Sequence, residues 1–153
     1  MSRPRDSELS KRRRTMDRVL SAIIGSRVST VASALRGGLS PNTADENGTT
    51  LLYQAAVQGE TEIVRMLPDA GADPNQESHG LSEGLPLCAA ACRGHTELVR
   101  LLLDRGADPN GIENGPMTAL AWARWTKHPD TVELLLERGA SLDPIADAAP
   151  PSD

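Results

Sequence analysis

Four short endings set the terms on which this chain can fold. Asn42, Asn75, Asn110 and Asp143 close segments that read alike, and they lie 33, 35 and 33 residues apart. The segments are Gly37-Gly38-Leu39-Ser40-Pro41-Asn42, Ala70-Gly71-Ala72-Asp73-Pro74-Asn75, Arg105-Gly106-Ala107-Asp108-Pro109-Asn110 and Arg138-Gly139-Ala140-Ser141-Leu142-Asp143. The last three each follow an aligned stretch, beginning Gly59-Glu60-Thr61-Glu62-Ile63-Val64, Gly94-His95-Thr96-Glu97-Leu98-Val99 and Lys127-His128-Pro129-Asp130-Thr131-Val132. A unit of this size cannot bury its own apolar face, so like units must stack on one another.

The side chains say what kind of unit it is. Ile63, Val64 and Leu67, and again Leu98, Val99, Leu102 and Leu103, fall at i, i+1, i+4 and i+5, the apolar stripe of a helix. Ala55-Ala56 and Ala89-Ala90-Ala91 mark a second, small-residue helix able to approach its neighbours closely. Gly38, Gly71, Gly106 and Gly139 each follow a helix, where the chain must reverse through a left-handed conformation. Glu62, Glu97 and Asp130 fall at helix starts, facing the positive end of the helix dipole. Hydrophobic residues are 39% of the chain but aromatic ones only 2%, with no Phe, so Leu, Ile, Val and Ala must fill the core.

The halves before the endings complete a pattern. Asp45-Glu46-Asn47-Gly48-Thr49-Thr50-Leu51-Leu52-Tyr53-Gln54-Ala55-Ala56, Leu85-Pro86-Leu87-Cys88-Ala89-Ala90-Ala91 and Thr118-Ala119-Leu120-Ala121-Trp122-Ala123 resemble the turn and first helix of the ankyrin repeat family. The resemblance covers about residues 16–143, and it is specific because several motifs recur in order at one period. It implies an all-α ankyrin-repeat solenoid of helix-turn-helix units with extended turn fingers. The expected division is a basic flexible arm over 1–14, a repeat domain over 15–143 with units at about 15–42, 43–75, 76–110 and 111–143, and a flexible tail over 144–153.

Departures from the family's pattern carry further expectations. Pro68 falls where a second helix needs another turn, so that helix should end early or kink. Tyr53, Cys88 and Ala121 stand where the family commonly has a His that knits neighbouring repeats, which predicts modest stability. Arg124 and Lys127 in the last unit, and Arg18 and Ser21 in the first, suit capping units with a polar outer face.

Charge is unevenly placed. Residues 1–14, including Lys11-Arg12-Arg13-Arg14, carry a net of +4, which leaves −9 on the rest of a chain whose total is −5. Such a cluster can hold phosphates or act as a localisation signal, but an acidic body repels nucleic acid and favours the reading of a solvated terminal run. No apolar run approaches the roughly 20 residues that cross a bilayer, and no secretion leader is recognisable, so a cytoplasmic protein without membrane contact is expected. The ratio of 14 Arg to 2 Lys is associated with GC-rich bacterial genomes. Cys88 and Cys92, four apart in an Ala-rich helix, read as buried or groove-lining thiols rather than a disulfide or metal site.

No catalytic motif, phosphate loop or cofactor signature is recognisable. His95 and His128 occupy a turn position that the resemblance makes structural. If chemistry is present, His79, Glu83, Cys92 and Arg93 are the residues placed for it. The resemblance instead implies a partner docked on a concave surface of finger tips and first-helix ends. Residue by residue this gives Val57 and Gln58, Cys92 and Arg93, and Trp125 and Thr126 on the helices. The tips contribute Glu46 and Asn47, His79 and Glu83 on a finger longer by two residues, and Glu113 and Asn114. Trp125 and Arg93 are the expected hot spots, while Trp122 belongs in the core.

The leading function is therefore a protein–protein interaction module, an adaptor or an inhibitor of the immunity type, with a basic protein partner. The alternative is a small biosynthetic enzyme or small-molecule binder using the same groove. Nucleic-acid binding through residues 1–14 is a third reading, opposed by the acidic body.

Overall fold

The computed structural model describes residues 4–79, 83–113 and 117–142. Eight helices lie among them: α1 Pro4–Ile24, α2 Val28–Arg36, α3 Leu51–Gln58, α4 Thr61–Asp69, α5 Pro86–Cys92, α6 Thr96–Asp104, α7 Ala119–Trp125 and α8 Pro129–Glu137. Each odd helix packs on the even one that follows. The odd helices then stack on one another as one layer, and the even helices as a second. Between the pairs the chain runs out into fingers, pinched by isolated antiparallel bridges at Ala44–Thr50, Ser78–Gly84 and Glu113–Met117. The described residues thus form an all-α solenoid.

One continuous core runs between the layers, and its fully buried side chains are aliphatic, among them Ile23, Leu51, Ile63, Leu67, Leu102 and Leu135. Local chemistry fixes the helix ends. Thr50 and Thr118 cap α3 and α7 by accepting the amide hydrogens of Tyr53 and Ala121, both at 3.2 Å. Pro86 and Pro129 open α5 and α8 at positions where the missing N–H costs nothing.

Two devices knit neighbouring units where the family's histidine is missing. The first is an asparagine ladder. Asn42 accepts from Asp73 N–H at 2.7 Å and donates to the Gly71 carbonyl at 3.2 Å. Asn75 does the same with Asp108 and Gly106, and Asn110 with Ser141 and Gly139. The second is a set of ring contacts. Gly94, in the left-handed region, has no room for a Cβ because the imidazole of His128 occupies that space, and Gly59 lies similarly against the ring of His95. Where this contact is missing the residue changes: Lys127 holds the left-handed conformation at φ 61°, and Ser26 at φ 55° donates its hydroxyl to Glu60 at 2.5 Å. Arg105 and Arg138 add ion pairs to Asp69 and Asp104 of the preceding unit, at 2.9 and 2.7 Å. The hydrogen bond from Arg105 holds the Asp69 carboxyl below its usual range.

Two expectations need correction. Residues 4–14, expected within a flexible arm, are the first turns of α1. Met16, Val19, Ala22 and Ile23 dock the second half of that helix into the core, and extending an existing helix through good helix formers costs little. Glu8 with Arg12 and Arg13 with Glu46 support the extension, at 3.7 and 3.4 Å. Pro68 does not shorten α4, which has nine residues like α6 and α8. It sits in the last turn, and the end is closed by Ala70 N–H on the Met66 and Leu67 carbonyls. The expected tail over 144–153 lies outside the described residues.

Candidate functional site

The layer of odd-numbered helices and the fingers meet at a cleft of about 300 Å³. Tyr53 and Val57 come from α3, Cys88, Ala89 and Cys92 from α5, and Trp122 from α7. Arg93 stands on the rim as the α5 cap, and the fingers contribute Glu83 and Glu113.

Glu113 organises the cleft. One carboxylate oxygen accepts the Leu85 amide hydrogen at 2.9 Å and the other accepts the Trp122 indole N–H. Leu85 precedes α5 as Thr50 precedes α3, and the Thr50 amide donates to Ser78 Oγ at 3.2 Å; Glu113 takes that place for the Leu85 amide. Such reach requires Gly84: at φ 137° it is left-handed, and a Cβ there would collide with Oε2 of Glu113. Tyr53 completes the frame by donating its hydroxyl to the Glu83 carbonyl at 3.1 Å.

Three groups here, Tyr53, Cys88 and Cys92, are held toward their neutral forms. Burial raises the Tyr53 pKa, and the charge of Glu113 adds to it. Burial pushes the Cys88 thiol up, with Glu113 again contributing through its charge and a hydrogen bond. Cys92 is raised by burial, opposed by Arg93 and reinforced by Glu113. Thiols raised in this way are poor nucleophiles. Both cysteines are free, and no metal-binding cluster of His, Cys, Asp and Glu exists among the described residues. The arrangement is suited to hydrogen bonding and electrostatic attraction.

The structure brings together Val57, Cys92, Arg93, Glu83 and Glu113 of the sequence-derived set. Trp125 stands beside them, 70% exposed, its ring centroid 5.3 Å from that of Trp122. Gln58 is exposed at the end of α3. Thr126 caps α7 and donates its hydroxyl to the Trp122 carbonyl at 2.7 Å, a role internal to the helix. His79 is not in the cleft: its amide bonds the Gly48 carbonyl at 3.0 Å and ties one finger to the next. Glu46 and Asn47 lie on the first finger, Glu46 paired with Arg13. Asn114 lies outside the described residues.

Trp122, expected in the core, is half-buried with its indole nitrogen turned to Glu113. Sequence reasoning missed Tyr53, Cys88 and Gly84 as parts of one site. A signal for it was present in the composition. The chain has one Tyr, two Trp and no Phe, and all three rings gather at or beside this cleft while none is fully buried.

Comparison with known families bears on the whole assembly. A model described as ankyrin repeats in three copies matches residues 71–145, and a single ankyrin-repeat model matches residues 47–79. Together they span about two thirds of the chain.

Proposed function

The chain belongs to the ankyrin repeat family, whose members are generally protein–protein interaction modules, and on that premise we propose that it binds a protein partner on its concave face, around Trp125 and Arg93. The observation that carries this reading is the disposal of the aromatic rings. A chain with three of them places Trp125 at 70% exposure and the other two half-buried on one face. Burying such a ring is a large source of stability, and its exposure beside an exposed Arg is the composition of an interface hot spot.

The −9 carried by residues 15–153 favours a basic partner through steering and complementarity. An adaptor or an inhibitor that covers such a partner fits this surface, in a cytoplasmic setting. No helix among the described residues is long and apolar enough to cross a membrane. The raised thiol and phenol pKa values weigh against the groove as a site of nucleophilic or general-base chemistry.

The test is affinity capture from host lysate with the wild type and a Trp125→Ala, Arg93→Ala double variant, both confirmed folded by circular dichroism. A protein retained by the wild type and lost by at least about tenfold with the double variant is the expected outcome, since two hot-spot truncations remove more than about 2 kcal/mol. Equal retention would move the interface off this face.

A further inference from the structure

We propose that the Glu113 cleft is a subsite for an organic cation, the ammonium or guanidinium end of a Lys or Arg side chain on a partner. The proposal rests on the interaction reading above and adds the chemistry of what enters.

Glu113 supplies the attraction. Its carboxylate accepts hydrogen bonds from Trp122 and Leu85, both neutral donors, and among the described residues it forms no ion pair. The charge is felt across the cleft, where it disfavours ionisation of Tyr53, Cys88 and Cys92. A second acidic residue, Glu83, is part of the lining and accepts the Tyr53 hydroxyl on its carbonyl. A negative charge held by neutral dipoles beside a low-dielectric wall attracts a cation more strongly than one in open water.

The walls supply the selectivity. Tyr53 and Trp122 line the cleft, and Trp125 continues the aromatic surface outward from Trp122. Aromatic faces attract ammonium and guanidinium groups through their quadrupole, and they also cover the alkyl stem of such a side chain. A volume of about 300 Å³ lies at the small end of ligand clefts and equals roughly ten waters, which suits one long side chain.

Among the described residues Arg93 is the one cation lining this space, and it decides the kind of ligand. A free small cation gains from Glu113 but is repelled at the rim. A partner segment escapes that penalty when it presents a basic residue to Glu113 and an acidic one to Arg93. Removing Arg93 should therefore weaken capture of the partner yet tighten binding of an isolated cation, opposite signs that a merely structural arginine would not give.

The experiment is calorimetric titration of the whole chain with N-acetyl-Ala-Lys-Ala-amide, its norleucine counterpart, and choline. Binding is followed in parallel by the indole N–H resonance of Trp122. The lysine peptide should bind saturably, at least about tenfold tighter than the norleucine peptide, and shift that resonance. Glu113→Gln should abolish the preference, and Arg93→Ala, at an exposed position, should tighten the lysine peptide by a few-fold. Equal affinity for the two peptides, or no tightening in Arg93→Ala, overturns the proposal even if Glu113→Gln fails to fold. Choline binding as tightly as the lysine peptide would overturn the assignment to a side chain in favour of a free cation. Because the probes are of known composition, a negative result leaves the capture experiment standing, and a failed capture leaves this titration readable.

Discussion

At Gly94 the imidazole of His128 stands where a side chain would begin, and the backbone is left-handed at φ 69°. The first condition excludes a side chain and the second disfavours one. At the equivalent place one unit later, Lys127 holds φ 61°. One position is thus glycine for two reasons and the other would benefit from glycine for one. Gly94→Ala should cost about 2 kcal/mol or more, from overpacking plus left-handed strain. Lys127→Gly should gain about 0.5–1 kcal/mol, the relief of strain less the added freedom of the unfolded chain. Urea unfolding midpoints of the two variants against the wild type check both signs.

At the scale of the element, polar bonds outside the core join one helix pair to the next alongside the apolar stacking. Each ladder asparagine accepts one backbone hydrogen and donates to one carbonyl of the following unit. Asn75→Ala strands both groups, though both are near solvent, and should lower stability by about 1–3 kcal/mol. Asn75→Asp keeps the acceptor and loses the donor, so its loss in a thermal melt should be intermediate. The positions of these asparagines were the plainest feature of the sequence, yet their bonds were not legible in it. Spacing gives the period but not which groups meet across it. The helices themselves were legible from apolar spacing and from glycine. Residues 4–14 were misread because charge density speaks for solvation, and says little about whether a docked helix continues beneath it. Pro68 does not end α4 early, because the packing of Ile63, Val64 and Leu67 holds the helix through to Asp69.

The whole molecule is polarised in charge and uneven in chemistry along its length. The basic turns of α1 lie at one end, where Lys11, Arg12 and Arg18 line a cleft of about 620 Å³, and the rest of the chain is acidic. Between them lies one core with no fully buried aromatic ring. That the core is aliphatic was readable from the scarcity of rings, although Trp122 was expected within it. That the rings converge on one cleft was not readable. Tyr53 and Trp122 are far apart in sequence, and only the stacking of α3, α5 and α7 brings them to one wall.

This placement also gives the protein a built-in asymmetry of colour. Both indoles sit on α7, in the last helix pair, so tryptophan emission reports on one end of the stack while far-ultraviolet ellipticity reports on all of it. In a solenoid each unit is held only by its neighbours, and an end can melt while the other stays folded. Denaturant curves followed by the two signals should then separate, with ellipticity falling before emission if α1 and α2 open first. Superimposed curves would mean that the four helix pairs unfold together. Fraying at the α1 end would be dark to the fluorimeter, while any partner that settles on Trp125 would be the first thing it sees.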